Sequence, residues 1–235
     1  MNIIGRANRN PAETRRKLVE AAIGLVLRQG YAATTVDQIC GEAGVTKGSF
    51  FHHFDSKEAI GEAALNAWGD FGTAVYSPSW SDPALDPLEQ LYKHLDIMAE
   101  IALRPGDSTS CVVGMMSQEM SGMHPRFREV CEGHLITWTE RVAKMLADAK
   151  KVHPPKVDFD PESVAWMLNS LWQGSMLVAK TRKSPEMIVS NVEQGRAYVN
   201  YLFGRTNAGG SPSPAPRENS SGAPDTPAAK LYQVT

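Results

Sequence analysis

The stretch TTVDQICGEAGVTKGSFFHHFDSK, residues 34–57, constrains this chain more than any other, because it packs two helix starts and one helix stop into a short space. Thr35 has a hydroxyl that can accept a free backbone N–H, and Gln38 stands three residues on, the spacing of a capping box. Val36, Ile39 and Ala43 then form one apolar stripe. Gly44 supplies a residue that tolerates the left-handed turn ending a helix. Thr46 caps a second helix that begins with the small, polar or cationic residues Lys47, Gly48 and Ser49. Phe50 and Phe54 recur at a spacing of four and can anchor this helix on the one before it. An apolar inner face and an open outer face, joined by a tight turn, are the requirements of a helix-turn-helix that meets base edges and phosphates. The pattern therefore predicts a DNA-binding module with its motif at residues 34–53.

Charge is distributed in keeping with that expectation. The chain of 235 residues has a net charge of −2. Residues 1–57 hold eight cations (Arg6, Arg9, Arg15, Arg16, Lys17, Arg28, Lys47, Lys57) against five carboxylates, a balance of +3 that leaves −5 for the rest. A basic front on an acidic body suits a DNA-facing N-terminal end, although the margin is small. The hydrophobic content of 42 % and charged content of 21 % are ordinary for a globular protein with a sizeable core. Three cysteines, Cys40, Cys111 and Cys131, cannot all pair within one chain, and MNIIGRANRNP lacks the apolar run of a signal peptide. Free thiols and a cytoplasmic setting are expected, with no membrane span.

Helix-start signals recur along the whole chain. Asn10-Pro11-Ala12-Glu13 sets a cap, a proline at the first helical position and a carboxylate in the first turn. The same grammar returns at Asp86-Pro87-Leu88-Glu89, Asp160-Pro161-Glu162 and Ser184-Pro185-Glu186, and no sustained period-two run of β-branched residues occurs. The fold class expected is all-α, with helices at 11–29, 35–42, 46–53, 57–75, 86–103, 110–121, 125–151, 161–182 and 185–203. Residues 76–85, YSPSWSDPAL, read as a turn-rich connector. From residue 205 onward five of the chain's fifteen prolines are mixed with Ser and Gly, a composition expected to leave a disordered tail.

The run AGVTKGSFFHHFDSKE resembles the TetR family of transcriptional regulators, and the similarity is strong over residues 11–71. The remainder matches in layout. SCVVGMMSQEM followed by PRFREVCEGHLITWTERVAKML resembles a subgroup whose sixth helix begins with a cysteine-containing segment. The resemblance implies four regions: a basic arm (1–10), a DNA-binding domain (11–71), an effector-binding and dimerisation domain (72–204) and the tail (205–235). It also implies a homodimer on a palindromic operator in double-stranded DNA, acting as a repressor released by a small-molecule effector.

Within that resemblance the helix from Thr46 enters the major groove. Lys47 is the candidate for base-edge readout, Gly48 lets the backbone approach, and Ser49 bonds a base or phosphate. Thr35 and Lys57 lie at helix starts, where phosphates bind. His52 and His53 are further phosphate candidates or plain surface residues. Phe51 stands where the family usually has a tyrosine, so it keeps a ring for a thymine methyl and loses a hydroxyl. Arg6 and Arg9 either reach a minor groove or stay in a disordered arm.

The last two helices are the expected dimer contact, through Val164, Leu168, Leu171 and Trp172 beside Gly174 and Ser175, and through Ile188, Val192, Tyr198, Val199 and Leu202. Met115, Met116, Trp138, Trp166, Trp172 and Met176 are effector-pocket candidates for an apolar or aromatic ligand, with ordinary core as the other reading. Cys111, at an expected helix N-terminus, is a sensor candidate for an electrophile or oxidant, or else a small buried thiol. Cys131 and His134, three apart, make only a weak case for a metal, so none is expected, nor any cofactor. Phosphate loops, HExxH and nucleophile elbows are absent, which argues against an enzyme and leaves a helical adaptor as the remaining alternative.

Overall fold

The computed structural model describes residues 10–104 and 109–206. Among these residues there are helices and turns and no strand: α1 (Pro11–Gln29), α2 (Val36–Ala43), α3 (Lys47–His53), α4 (Lys57–Trp80), α5 (Pro87–Ala102), α6 (Val112–Met120), α7 (Pro125–Val152), α8 (Pro161–Arg182) and α9 (Glu186–Leu202). The all-α fold is as expected. The basic arm, with Arg6 and Arg9, and the tail beyond residue 206 lie outside the described residues.

Helix starts follow the cap grammar. Asn10 accepts the N–H of Ala12 at 3.1 Å, Asp86 those of Leu88 and Glu89 at 2.8 and 3.2 Å, and Asp160 that of Ser163 at 2.9 Å. Proline occupies the first turn after each. Its missing donor costs nothing there, and its fixed φ is already helical.

One boundary departs from expectation. Residues 76–80, expected in the connector, continue α4 through Pro78 to Trp80. Pro78 cannot donate to the carbonyl of Ala74, but the hydroxyl of Ser77 donates to it at 2.8 Å. Tyr76 and Ser79 are both buried, so tertiary packing holds the last turn in place. A proline inside a helical pattern argues for a stop, and here a neighbouring serine repairs the gap.

The interior has two connected parts. Leu18, Ile23, Leu27, Ile39, Phe50 and Ile60 of α1–α4 pack with Val112, Met116, Phe127 and Cys131 of α6 and α7. Leu91, Val142, Leu146, Leu168 and Val199 form the core of α5, α7, α8 and α9, continued by Leu95, Met98, Trp172 and Ile188. Helix α6 is thus built into the core of the N-terminal unit.

The faces of α8 and α9 differ from expectation. Val164, Leu168 and Trp172 are buried within the chain, as are Ile188, Val192, Val199 and Leu202, because they are the stripes by which α8 and α9 pack on α7, α5 and each other. The exposed apolar residues are Trp166, Met167, Leu177 and Val178 on α8, with Tyr198 and Tyr201 on α9. Of the residues expected at that contact, Tyr198 is exposed and Leu171 is half-buried.

Candidate functional site

Helices α2 and α3 form a tight two-helix unit whose starts are capped by side chains. Gln38 N–H donates to the Thr35 hydroxyl at 3.2 Å, and the Thr35 N–H donates to the Gln38 side chain at 2.9 Å, so the capping box is complete. Gly44 takes φ 65° and ψ 36°, the left-handed conformation that ends α2. The Thr46 hydroxyl accepts the Ser49 N–H at 3.2 Å and starts α3. Phe50 is fully buried and Phe54 nearly so, with ring centres 5.9 Å apart, and both belong to the core built by α1 and α2. The guanidinium of Arg15 covers the Phe54 ring at 5.0 Å.

That anchoring leaves the other side of α3 open. Lys47, Gly48, Phe51 and His52 are exposed, Ser49 and His53 are half-buried, and Thr35 is exposed at the head of α2. Phe51 is 49 % exposed and rests edge-on against Phe50. Lys47 pairs with Asp37 across the turn at 2.9 Å. Both partners are well exposed, so the pair holds the ammonium by no more than about 1 kcal/mol and gives it up readily to a stronger anion.

Lys57 sits differently from the others. Its ammonium donates to the carbonyl of Ala32 at 3.3 Å and lies 4.4 Å above the Tyr31 ring. Burial pushes its pKa down. The side chain braces the loop between α1 and α2.

Two further contacts join that loop and the end of α1 to the C-terminal helices. The Glu119 carboxylate on α6 accepts the Ala32 N–H at 2.8 Å. On α8, the Lys180 ammonium donates to the carbonyl of Leu27, in the last turn of α1, at 2.8 Å and meets Met115 Sδ at 3.5 Å. A cation at the negative end of a helix is favourable. Gly30 makes room: its φ is 88°, and a Cβ there would meet the Glu119 carboxylate at 2.3 Å. None of these contacts is readable from the sequence, because their partners lie far apart along the chain.

The effector candidates separate into three groups. Met116 is fully buried, in the core that α6 shares with α1 and α4. Trp172 and Met176 are buried and Trp138 is half-buried between α5, α7 and α8. Trp166, at 38 % exposure, faces outward. Cys111 stands at the N-terminal boundary of α6, as expected, without a side-chain capping bond; it is half-buried, with its sulfur 3.9 Å from the Gln173 amide nitrogen. Cys131 is buried, which pushes its thiol pKa up, and Cys40 is buried in the helix-turn-helix unit. His134 points to Asn66, its Nε2 3.3 Å from Asn66 Oδ1. No group of three His, Cys, Asp or Glu residues suited to a metal occurs among the described residues.

His94 escapes the sequence reading. It is 1 % exposed and sits among Tyr76, Trp80 and Trp138, with ring centres at 4.5, 6.0 and 5.4 Å. Burial, and then the charge of Arg141, pushes its pKa down to about 3, so it is neutral near pH 7. A titratable side chain in the stripe of Leu91, Leu95 and Met98 is the signal that marks it.

Comparison with known proteins agrees with this geometry. Residues 18–64 match the family described as bacterial regulatory proteins, tetR family, and residues 87–194 match the tetracyclin repressor-like C-terminal domain. The transcriptional regulator AcuR of Cereibacter sphaeroides is 30 % identical over 185 residues, covering 78 % of this chain and 84 % of that protein. The transcriptional repressor DhaR of Mycobacterium sp. strain GP1 is 27 % identical over 172 residues, 73 % of this chain and 85 % of that protein. A crystal structure of regulatory protein TetR from Rhodobacter sphaeroides, 30 % identical, superposes with a TM-score of 0.72 over 78 % of this chain and 97 % of its own. The chain belongs to the TetR family, whose members are regulators rather than enzymes, and it is a helix-turn-helix, DNA-binding transcriptional regulator of the ligand-responsive repressor type.

Proposed function

We propose that residues 11–71 hold the operator and residues 72–204 sense an effector and dimerise, in a cytoplasmic, non-catalytic repressor. The observation that carries this reading is the two-sidedness of α3: Phe50 and the neighbouring Phe54 are locked inside while Lys47 and Gly48 face solvent. Lys47 is the base-edge candidate, and Ser49, Thr35, His52 and His53 are phosphate candidates around the same open face. Phe51 offers an apolar face to a thymine methyl.

A single α3 covers few base pairs, and two copies a helical turn apart read a palindrome. TetR-family regulators act as dimers. In this chain Trp166, Met167, Leu177 and Val178 with Tyr198 and Tyr201 are the apolar surface suited to that contact. The effector would act through α6 and α8. Ligand in the aromatic cluster between α4, α5 and α7 moves these helices, and Glu119 and Lys180 pass the movement to the end of α1 and the α1–α2 loop. Coupling of this kind requires only that the ligand bind one arrangement of the dimer better than the other.

Selection of bound duplexes from a random pool, using the full-length protein, tests the reading. A two-fold-symmetric site is expected, with affinity that falls steeply with salt. Equal binding of all sequences, or none of any, overturns it.

A further inference from the structure

Two side chains in the aromatic cluster bury polar atoms with no hydrogen-bond partner among the described residues: Nε2 of His94 and Nε1 of Trp138. An unsatisfied buried group of this kind costs stability. The two rings are neighbours, with centres 5.4 Å apart. Tyr76 packs against His94, its ring tilted by 30°, and Trp80 lies beyond, itself covered by the Arg141 guanidinium at 4.5 Å.

The chemistry of the two atoms follows from their neighbours. The Ser79 hydroxyl donates to the carbonyl of Tyr76 at 2.7 Å, which uses its one proton. Its contact with Nδ1 of His94 at 3.2 Å is therefore one in which His94 donates. The imidazole is neutral, with its proton on Nδ1, and Nε2 is a bare acceptor. Trp138 Nε1–H is a donor only. One acceptor and one donor thus stand unused on neighbouring rings, in surroundings that are mostly aromatic and aliphatic.

We infer that the effector site takes a small aromatic compound bearing a hydroxyl group, whose O–H donates to His94 Nε2 while its oxygen accepts the Trp138 N–H. A hydroxyl is the smallest group that answers both atoms at once, and Tyr76 and Trp80 supply faces for its ring. Met98 and Met176, in the same core, are side chains that repack around an incoming ring. This inference rests on the effector-domain reading above and assigns the ligand class at that site.

Titration calorimetry of the full-length protein at pH 7.5 with phenol, anisole and toluene tests it. Phenol both donates and accepts, anisole only accepts, and toluene does neither. In the parent protein phenol is expected to bind about tenfold or more tighter than toluene, with anisole between them. In His94→Phe phenol should fall to the level of anisole. In Trp138→Phe phenol and anisole should both lose affinity while toluene keeps its own. Equal binding of the three compounds, no binding of any, or a phenol preference that survives both substitutions overturns the inference. The parent comparison needs no variant, so a substitution that fails to fold leaves the test intact. Operator selection by the same preparation separates the two failures: DNA recognition without phenol preference removes this ligand class alone, whereas loss of sequence-specific DNA binding removes the regulator reading beneath it.

Discussion

The helix-turn-helix unit and the His94 cluster are opposites in how they treat polar groups. Around α2 and α3, Thr35, Gln38, Thr46 and Gly44 close the helix ends locally, and the apolar pegs beneath are packed into the core. Around α4, α5 and α7, a histidine and a tryptophan bury atoms left unpaired. The first arrangement serves a rigid surface that must present α3 in one pose. The second carries a cost that a ligand at the proposed site would relieve. On the proposed reading, the first serves DNA recognition and the second serves ligand sensing.

The comparison breaks most sharply at Phe50. Phe50→Ala empties the fully buried peg under α3 and is expected to cost about 3–5 kcal/mol, read as a lower denaturant midpoint and lost operator binding. A change below about 1 kcal/mol would mean that α3 is held by its caps and not by its core.

His94 provides the next largest effect, in the pH dependence of stability. Its folded pKa, about 3, lies below the ordinary value of 6.5, so the unfolded chain binds more protons between those values. The stability it contributes is present above about pH 6.5 and is lost as pH falls toward 3, at up to about 1.4 kcal/mol per pH unit. His134 is shifted the same way by burial, and carboxylates held below their usual range, Asp86 and Asp148 among them, add their own losses at lower pH. Chemical denaturation at pH 7.5 and pH 5 should show the parent losing clearly more than His94→Phe. Parallel losses in the two proteins would show that His94 is not held neutral.

Much of the fold is legible along the chain because its signals are local. Caps, first-turn prolines and Gly44 each act within one helical turn, and the helix bounds fall within a few residues of those signals, except at α4. There Pro78 is outvoted by the Ser77 hydroxyl and by the burial of Tyr76 and Ser79, which are tertiary facts. The open face of α3 is legible for the same local reason. Lys57 is not: its ammonium is engaged by Ala32 and Tyr31, more than twenty residues away. Glu119, Lys180 and the His94–Trp138 pair involve separations that no periodicity encodes. The stripe of Val164, Leu168 and Trp172 is apolar as its spacing says, yet its neighbour is this chain's own core, since hydrophobic spacing does not say whether the covering helix is in the same chain.

Lys47 sharpens the comparison from the DNA side. Lys47→Ala removes a cation paired with the exposed Asp37, so stability should change by less than about 1 kcal/mol. Operator affinity should fall by about 1–3 kcal/mol with relaxed preference at one base position if Lys47 reads a base edge. A uniform loss across sequences, with a salt slope shallower by about 1, would place it on a phosphate instead.

The smallest expected effect tests whether local closure matters at all beside the core. Thr35→Ala removes one half of the capping box and leaves the N–H of Gln38 to water. Caps of this type contribute about 1 kcal/mol, which in a chain of this size lowers the melting temperature by about 2–4 °C. Thr35→Ser keeps the accepting oxygen and should restore most of that difference. The hydroxyl is also a phosphate candidate, so the two roles separate by readout: a cap alone lowers the melting temperature without changing operator affinity measured well below it, whereas a phosphate contact weakens affinity and flattens its salt dependence. If Thr35→Ala leaves both quantities untouched, the capping box is incidental, and the pose of α3 is fixed from below by Phe50 and Phe54.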